Sequence, residues 1–322
     1  MNLSDLISLG RVVEKLIKAQ SSFISKETKY YKLLIRELNG LKKYFLENKK
    51  RCGEDFSKYY KDRGLLLDFN IYLHLELFLL FSEYIDDDSP ILKPDIKDED
   101  HHDRLRFFGL SLCNLTNSLI AIRTLLEGGL DLQAKQVFRS YIEYSDISIA
   151  SLESASFYLN YIRMAEGEKE ANEVWWKYTR PAAIEKILKK IFLNFGNDGL
   201  FWEMIQSIRK PSYELYSDYT HGHFLANTLS AFSRSNESDL FRPTITGSIT
   251  YGMTDTLDRS IAYSHLFVKH AMIILVKDHH LPFEKFGENG KNFVVFYKMM
   301  EVIWPIMIEK LNMFGENDSP NN

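Results

Sequence analysis

The stretch QAKQVFRSYIEYSD, residues 133–146, lies in a segment (130–165) that is apolar around most of a helical circumference. Leu130, Ala134, Val137, Phe138, Tyr141, Ile142, Ile147 and Ile149 cover far more than one stripe, and a helix of that kind sits inside a bundle. On it Arg139, Glu143 and Asp146 form a polar line, and buried charges need partners. Partners are on offer in PSYELYSDYTHGH (211–223), where Ser217 and His221 repeat the i, i+4 spacing of Arg139 and Glu143. Each pair therefore points from one face of its own helix. Across a bundle the two pairs would meet as a hydrogen-bonded network, and the spacing leaves open whether that network is an active site or a satisfied buried cluster.

Working outward, the composition supports an all-α fold. A chain of 322 residues with 45% hydrophobic residues can bury a large core, and only 16 Gly and 8 Pro favour long helices with few turns. The periodicity predicts helices at 26–48 and 54–84, then at 103–127 with Gly128-Gly129 as a glycine cap, and at 130–165 and 167–194. A helix at 198–221 is expected to kink or restart at Pro211 and to stop at Gly222. Residues 222–250, rich in Ser, Thr, Asn and Gly, read as a long polar insertion, either a loop or a small hairpin, before helices at 251–279 and 291–313. DDDSPILKPDIKDED (86–100), with Pro90 and Pro94, marks a boundary. The expected organisation is an N-terminal helical segment (1–85), an acidic linker (86–102), a helical bundle domain (103–314) and a disordered tail (315–322).

Two cysteines, Cys52 and Cys113, are too few for a disulfide framework or a set of zinc fingers, which suits a reduced, cytoplasmic setting. The start, MNLSDLISLGRVVEKLIKAQ, reads as an amphipathic helix and not as a secretory signal, and no window reads as a membrane span. Charge is uneven: residues 1–63 carry 15 Lys+Arg against 8 Asp+Glu, while the whole chain has a net charge of -4. Tyr30, Tyr31 and Tyr44 interleave with those basic residues, a pattern that can follow a phosphate backbone or be a solvated face packed on an acidic body.

Arg139-Ser140-Tyr141-Ile142-Glu143 and the run from Tyr213 through Ser217 to His221 resemble the R-S-x-x-E and Y-x-x-x-S-x-x-x-H elements of a bacterial helical domain-of-unknown-function family, over roughly residues 105–280. That family looks distantly related to the HEPN domains, named for higher eukaryote and prokaryote nucleotide binding, many of which are ribonucleases of toxin–antitoxin or antiviral defence systems. The resemblance implies a HEPN-like bundle, action on RNA without a cofactor or metal, homodimerisation, and a possible antitoxin or other protein partner. In this reading Arg139 clamps a phosphate, Glu143 positions Arg139 or His221, and His221, with Ser217 beside it, is the general acid–base. HEPN ribonucleases carry Arg, four to six residues, then His. Arg259 and His265 fit that spacing and are the competing catalytic pair, with Ser260 where an acidic or amide residue often stands.

Two other classes stay open. The same polar residues would fix the bundle of a non-catalytic interaction or oligomerisation module. Alternatively Asp218, His221 and His223 offer ligands for a metal-dependent hydrolase, though without a clear third partner. The acidic and histidine cluster at 98–103 and Asp278-His279-His280 also look metal-like, but the first sits at a helix start, where Asp is expected as a cap. There is no G-x-x-x-x-G-K-[ST], G-x-S-x-G or H-E-x-x-H, nor a G-x-G-x-x-G after a strand, which removes P-loop, α/β-hydrolase, zincin and Rossmann chemistry.

Overall fold

The structure, a computed structural model, describes residues 28–85, 100–194, 200–220, 247–250, 252–281 and 283–313. Ten α-helices carry these residues, with no strand among them: α1 (Thr28–Tyr59), α2 (Lys61–Ile85), α3 (His101–Glu127), α4 (Asp131–Glu153), α5 (Ala155–Ile162), α6 (Glu168–Val174), α7 (Pro181–Asn194), α8 (Leu200–Thr220), α9 (Met253–Lys277) and α10 (Gly287–Lys310). The fold is all-α, as the scarcity of Gly and Pro implies. The linker residues 86–99, most of 222–250 and the tail 315–322 lie outside the described residues.

The apolar circumference of α4 places it at the centre, packed on α3, α9, α8 and α7. Ala134, Phe138, Tyr141 and Ile142 are fully buried there. α2 packs on α3, α9 and α10, and its Leu67, Leu73, Leu77 and Phe81 belong to one continuous core with the helices beyond residue 103. Polar side chains stitch this helix to distant parts of the chain. Arg63 donates from Nε to Asp258 Oδ1 at 2.7 Å and from Nη2 to the Leu311 carbonyl at 2.9 Å. Asn70 Nδ2 donates to the Ile261 carbonyl and to Ser264 Oγ, both at 2.8 Å. His74 bridges the Asn70 carbonyl at 2.8 Å and the Tyr141 hydroxyl at 2.7 Å. A carbonyl can only accept, so Nδ1 carries the proton and Nε2 accepts from Tyr141.

α1 is one continuous helix where the periodicity predicts an end at 48 and a restart at 54. Gly53 costs only about 1 kcal/mol in a helix, and Asn48, Cys52 and Phe56 keep one buried line across the expected gap. Residues 36–47 of α1 are exposed all round.

The segment expected as one helix over 130–165 breaks at Ser154, whose backbone is extended (φ -118, ψ 106) and whose Oγ accepts from Phe157 N at 3.1 Å to cap α5. The Leu152 carbonyl, freed by that break, accepts from Arg104 Nη1 at 2.7 Å and His279 Nε2 at 3.1 Å. The helix expected over 167–194 is also divided. A π-helical turn at Trp175–Thr179 leads to Arg180 (φ -58, ψ 149), extended because Pro181 follows and opens α7. α8, by contrast, runs through Pro211 without restarting.

Gly128-Gly129 closes α3 as expected, with Leu130 N donating to the Leu125 carbonyl at 2.8 Å and Gly129 at φ 73. Against it lies the buried segment 247–250, without strand structure. Ser248 N donates to the Gly129 carbonyl at 3.0 Å, and Asn48 Nδ2 donates to the Gly247 carbonyl at 3.1 Å. Thr250 and Thr256 donate to Asp131 at 3.1 and 2.6 Å, beside a buried Lys135–Asp131 pair at 2.6 Å.

One sequence expectation changes for membranes. Lys61–Ser82 and His101–Glu127 are long and apolar enough to cross a bilayer by length and composition. Here they pack on each other within the core, with buried Asn70, His74 and Arg104 in their midst.

Candidate functional site

α8 packs on α4, and this brings the two elements singled out in the sequence together. Tyr213, which opens the second element, donates its hydroxyl to Glu143 Oε1 at 2.5 Å. Arg139 Nε donates to the same oxygen at 3.3 Å, and its guanidinium lies over the Tyr213 ring at 5.0 Å from the centroid. Burial, then the bond to Glu143 and its charge, push the Tyr213 phenol well above its ordinary range, so it stays a donor. Glu143 is half-exposed, with 39% of its side chain open to solvent.

One turn deeper is a second charged cluster. Arg209 Nε donates to Asp146 Oδ2 at 2.8 Å, and Tyr263 donates its hydroxyl to Asp146 Oδ1 at 2.7 Å. Glu185 approaches Arg209 at 3.8 Å from the rim. Burial pushes the Asp146 carboxyl upward, while Arg209 and Tyr263 oppose that push; burial and the neighbouring carboxylate raise the Tyr263 phenol strongly. Arg209 also lies over the Tyr213 ring at 5.7 Å, so two guanidiniums neighbour one phenol.

Tyr213, Glu143, Arg209 and Asp146 border a cleft of about 120 Å³ whose other walls include Tyr161, Met164 and Trp175. Arg209 set against Glu143 and Asp146 gives the cleft no excess of positive charge. Its chemistry is that of an aromatic slot with a carboxylate acceptor at the mouth, suited to a planar group carrying N–H or O–H donors.

The remaining expected site residues fall as follows. Ser217 and Asp218 lie on α8, but their side chains, with His221 and His223, lie outside the described residues. Arg259 is engaged with Asp255 Oδ1 at 2.6 Å and faces Ser212 of α8 at 3.5 Å. His265 is buried, with Nε2 3.4 Å from Glu301 Oε1 and its ring stacked on Trp304 at 4.3 Å, both on α10. Six residues along a helix rotate about 240° in net terms, so these two side chains face different neighbours and do not meet within the chain. Burial lowers the His265 pKa, whereas His265 beside it and the bond from Lys269 hold Glu301 down at about 2. A neutral imidazole beside an ionised carboxylate fits both directions.

His101 and His279, from the two clusters that look metal-like in the sequence, meet in the core with their Nδ1 atoms 3.2 Å apart. Among the described residues no group of three or more His, Cys, Asp or Glu side chains is placed to hold a metal ion. As expected for a helix start, an Asp of this cluster, Asp100, stands at the N-cap of α3, without a side-chain cap bond, and Asp103 lies in the first turn.

Sequence reasoning missed Arg209 and Tyr263, and it treated Tyr213 only as the start of a motif. The signal for the first was present: Arg209 precedes Tyr213 by one helical turn, and a buried Asp146 required a cation. No protein-family model, curated protein or solved structure matches the chain.

Proposed function

We propose that the chain acts on RNA as a HEPN-like ribonuclease of bacterial defence or toxin type, with Arg139 and Glu143 as the fixed half of its site and Ser217 and His221 as the half supplied from the end of α8. The observation that carries the reading is the Tyr213–Glu143 hydrogen bond at 2.5 Å, which joins the two sequence elements across the bundle. In sequence Ser217 and His221 follow Tyr213 at one and two helical turns. The aromatic slot suits a stacked base, Glu143 can accept from an exocyclic amine, and the exposed basic face of α1, with Lys42, Lys43, Lys49 and Lys50, can follow the backbone. Arg259 and His265 stay in the proposal only as a pair completed by other groups, since they face different helices.

A second reading, a non-catalytic interaction module, is favoured by the Arg209–Asp146–Tyr263 cluster, which is buried and internally balanced as a purely structural network would be. Wild type, His221→Ala and Glu143→Gln, induced in a bacterial host, separate the two. Growth arrest with RNA fragmentation that disappears in both variants, each folded by circular dichroism, is the expected result. Intact RNA with all three proteins transfers the function to partner recognition.

A further inference from the structure

The cleft beside α4 and α8 carries polar atoms that the fold itself does not use. The Thr179 hydroxyl lines it, is buried, and has no hydrogen-bond partner among the described residues. Within the α-helices Thr116 and Thr124 return their hydroxyls to the carbonyl four residues back, at 2.7 and 2.8 Å. Thr179 makes no such bond. It closes the π-helical turn Trp175–Thr179, where pairing runs over five residues, with Arg180 N donating to the Trp175 carbonyl at 2.9 Å. A buried hydroxyl left unbonded costs free energy in the empty cleft, and a ligand that bonds it returns that cost.

Two charged groups are likewise only partly used. Tyr213 and Arg139 both donate to Oε1 of Glu143, which fixes the carboxylate and leaves Oε2 without a partner among the described residues. Arg209 donates from Nε to Asp146, while its Nη1 lies 3.8 Å from Glu185, beyond hydrogen-bond reach. A ligand that completes the cleft therefore presents donors to Glu143 and acceptors to Arg209 and Thr179.

Charge and size narrow the choice. A lining with no excess of positive charge does not attract a phosphate, so the neutral base of a nucleotide is the end that enters. A closed cavity of roughly 150 Å³ takes a benzene ring, and about 120 Å³ with an open mouth takes a planar base whose sugar stays outside. Among the four bases, guanine alone sets two adjacent donors, N1–H and the N2 amine, beside the acceptors O6 and N7. Oε2 of Glu143 has two lone pairs for those donors. Adenine and cytosine place one amine next to a ring nitrogen that would face the carboxylate lone pair to lone pair, and uracil places its one N–H between two carbonyls.

We infer that the cleft is a guanine subsite, in which Glu143 accepts from N1–H and the N2 amine, O6 and N7 accept from Arg209 and Thr179, and Tyr161 and Trp175 supply aromatic walls. Guanine in single-stranded RNA and free guanosine monophosphate present the same edge. The inference rests on the RNA reading only for which of these is the source; the identity of the base rests on the cleft.

Isothermal titration of the full chain tests it, with the 5'-monophosphates of guanosine, inosine, adenosine, cytidine and uridine as probes. Guanosine monophosphate is expected to bind about 10- to 100-fold more tightly than the others. Inosine lacks only the N2 amine, so Glu143→Gln should erase most of the margin between those two. Thr179→Val should weaken guanosine monophosphate about fivefold without lowering the melting temperature, because its hydroxyl bonds nothing in the fold. Oligonucleotide probes, an adenosine octamer with and without one central guanosine, separate the sources: tighter binding of the guanosine octamer than of the monophosphate supports the inference with RNA as source, and equal affinity supports it with free nucleotide as source. Monophosphates and octamers bound without preference for guanine, or not at all, overturn the inference, as does guanine binding that neither substitution changes. Guanine-selective binding with RNA left intact in the host keeps the inference and rejects the nuclease, whereas RNA fragmentation with indifferent binding of the bases rejects the inference alone.

Discussion

Arg209 on α8 holds Asp146 on α4 at 2.8 Å, with 3% and 4% of their side chains exposed. The pair joins the central helix to the helix that carries the second half of the candidate site, and Tyr263 ties it to α9. Desolvating two ions is expensive, so such a pair contributes less as an attraction than its loss costs.

Removing one member should therefore be severe. Arg209→Ala or Asp146→Ala is expected to lower stability by about 3–5 kcal/mol by leaving an uncompensated buried charge. Arg209→Met combined with Asp146→Leu should recover most of that loss. Urea unfolding of the three variants, analysed as a double-mutant cycle, measures the difference.

Acid should loosen the core through its neutral histidines. Burial lowers His74 to about 4, against a smaller opposing effect of the Asn70 carbonyl, and burial alone lowers His270 to about 3. Both folded values lie below the ordinary 6.5, so the fold disfavours the protonated form. Their contribution is complete above pH 6.5 and is lost as the pH falls towards 4, at a cost on the order of 3 kcal/mol for each ring. Unfolding free energies between pH 7 and 4 should show this slope, and His74→Gln should flatten it whatever its effect at neutral pH.

Glu153 has the opposite sign. Burial, and next the charge of Asp278, raise its carboxyl to about 7 against the pull of Arg104. Its favourable contribution is complete below pH 4.5 and is lost as the pH rises through 7. Glu153→Gln should therefore be more stable than wild type at pH 8, by about 1–2 kcal/mol after allowing for partial solvation, with the advantage vanishing near pH 4.5. Thermal melts at the two pH values decide it.

Gly129 admits no side chain. At φ 73 an added Cβ would sit 2.5 Å from Ser248 N and 2.9 Å from its Cα. Gly129→Ala should destabilise by about 1–3 kcal/mol and should release the segment 247–250 first. Hydrogen exchange at Ile249 is expected to accelerate more than exchange in α4.

The central role of α4 was legible because its apolar residues encircle it, and the glycine cap of α3 was legible because two adjacent glycines have few other uses. Spacing pointed to Ser217 and His221 as partners of Arg139 and Glu143; the contact described comes from Tyr213 of the same element, and the side chains of Ser217 and His221 lie outside the described residues. The helix breaks were not legible. Ser154 and Arg180 stop their helices through a single cap and a following proline, signals of about 1–3 kcal/mol that periodicity over a longer window averages away. Arg259 and His265 show the converse limit. A spacing rule places two residues on one element without saying which neighbours they face, and here α8 takes one and α10 the other. His74 escaped as well, because a lone histidine on an apolar face gives no sign that an asparagine carbonyl and a tyrosine hydroxyl will close both of its nitrogens.

The ties from α2 to α9 and to Leu311 bear on biosynthesis. Asn70 waits for Ile261, 191 residues later, and Arg63 waits for Leu311, 248 residues later. α2 can pair with α3 soon after both leave the ribosome, but the face that α9 and α10 cover stays bare until those helices are made. At about 5–20 residues per second that interval is on the order of 10–50 s, during which a leucine-rich surface is open to the wrong neighbours. The nascent chain should therefore be a substrate for ribosome-associated chaperones until α9 and α10 have emerged and packed on α2.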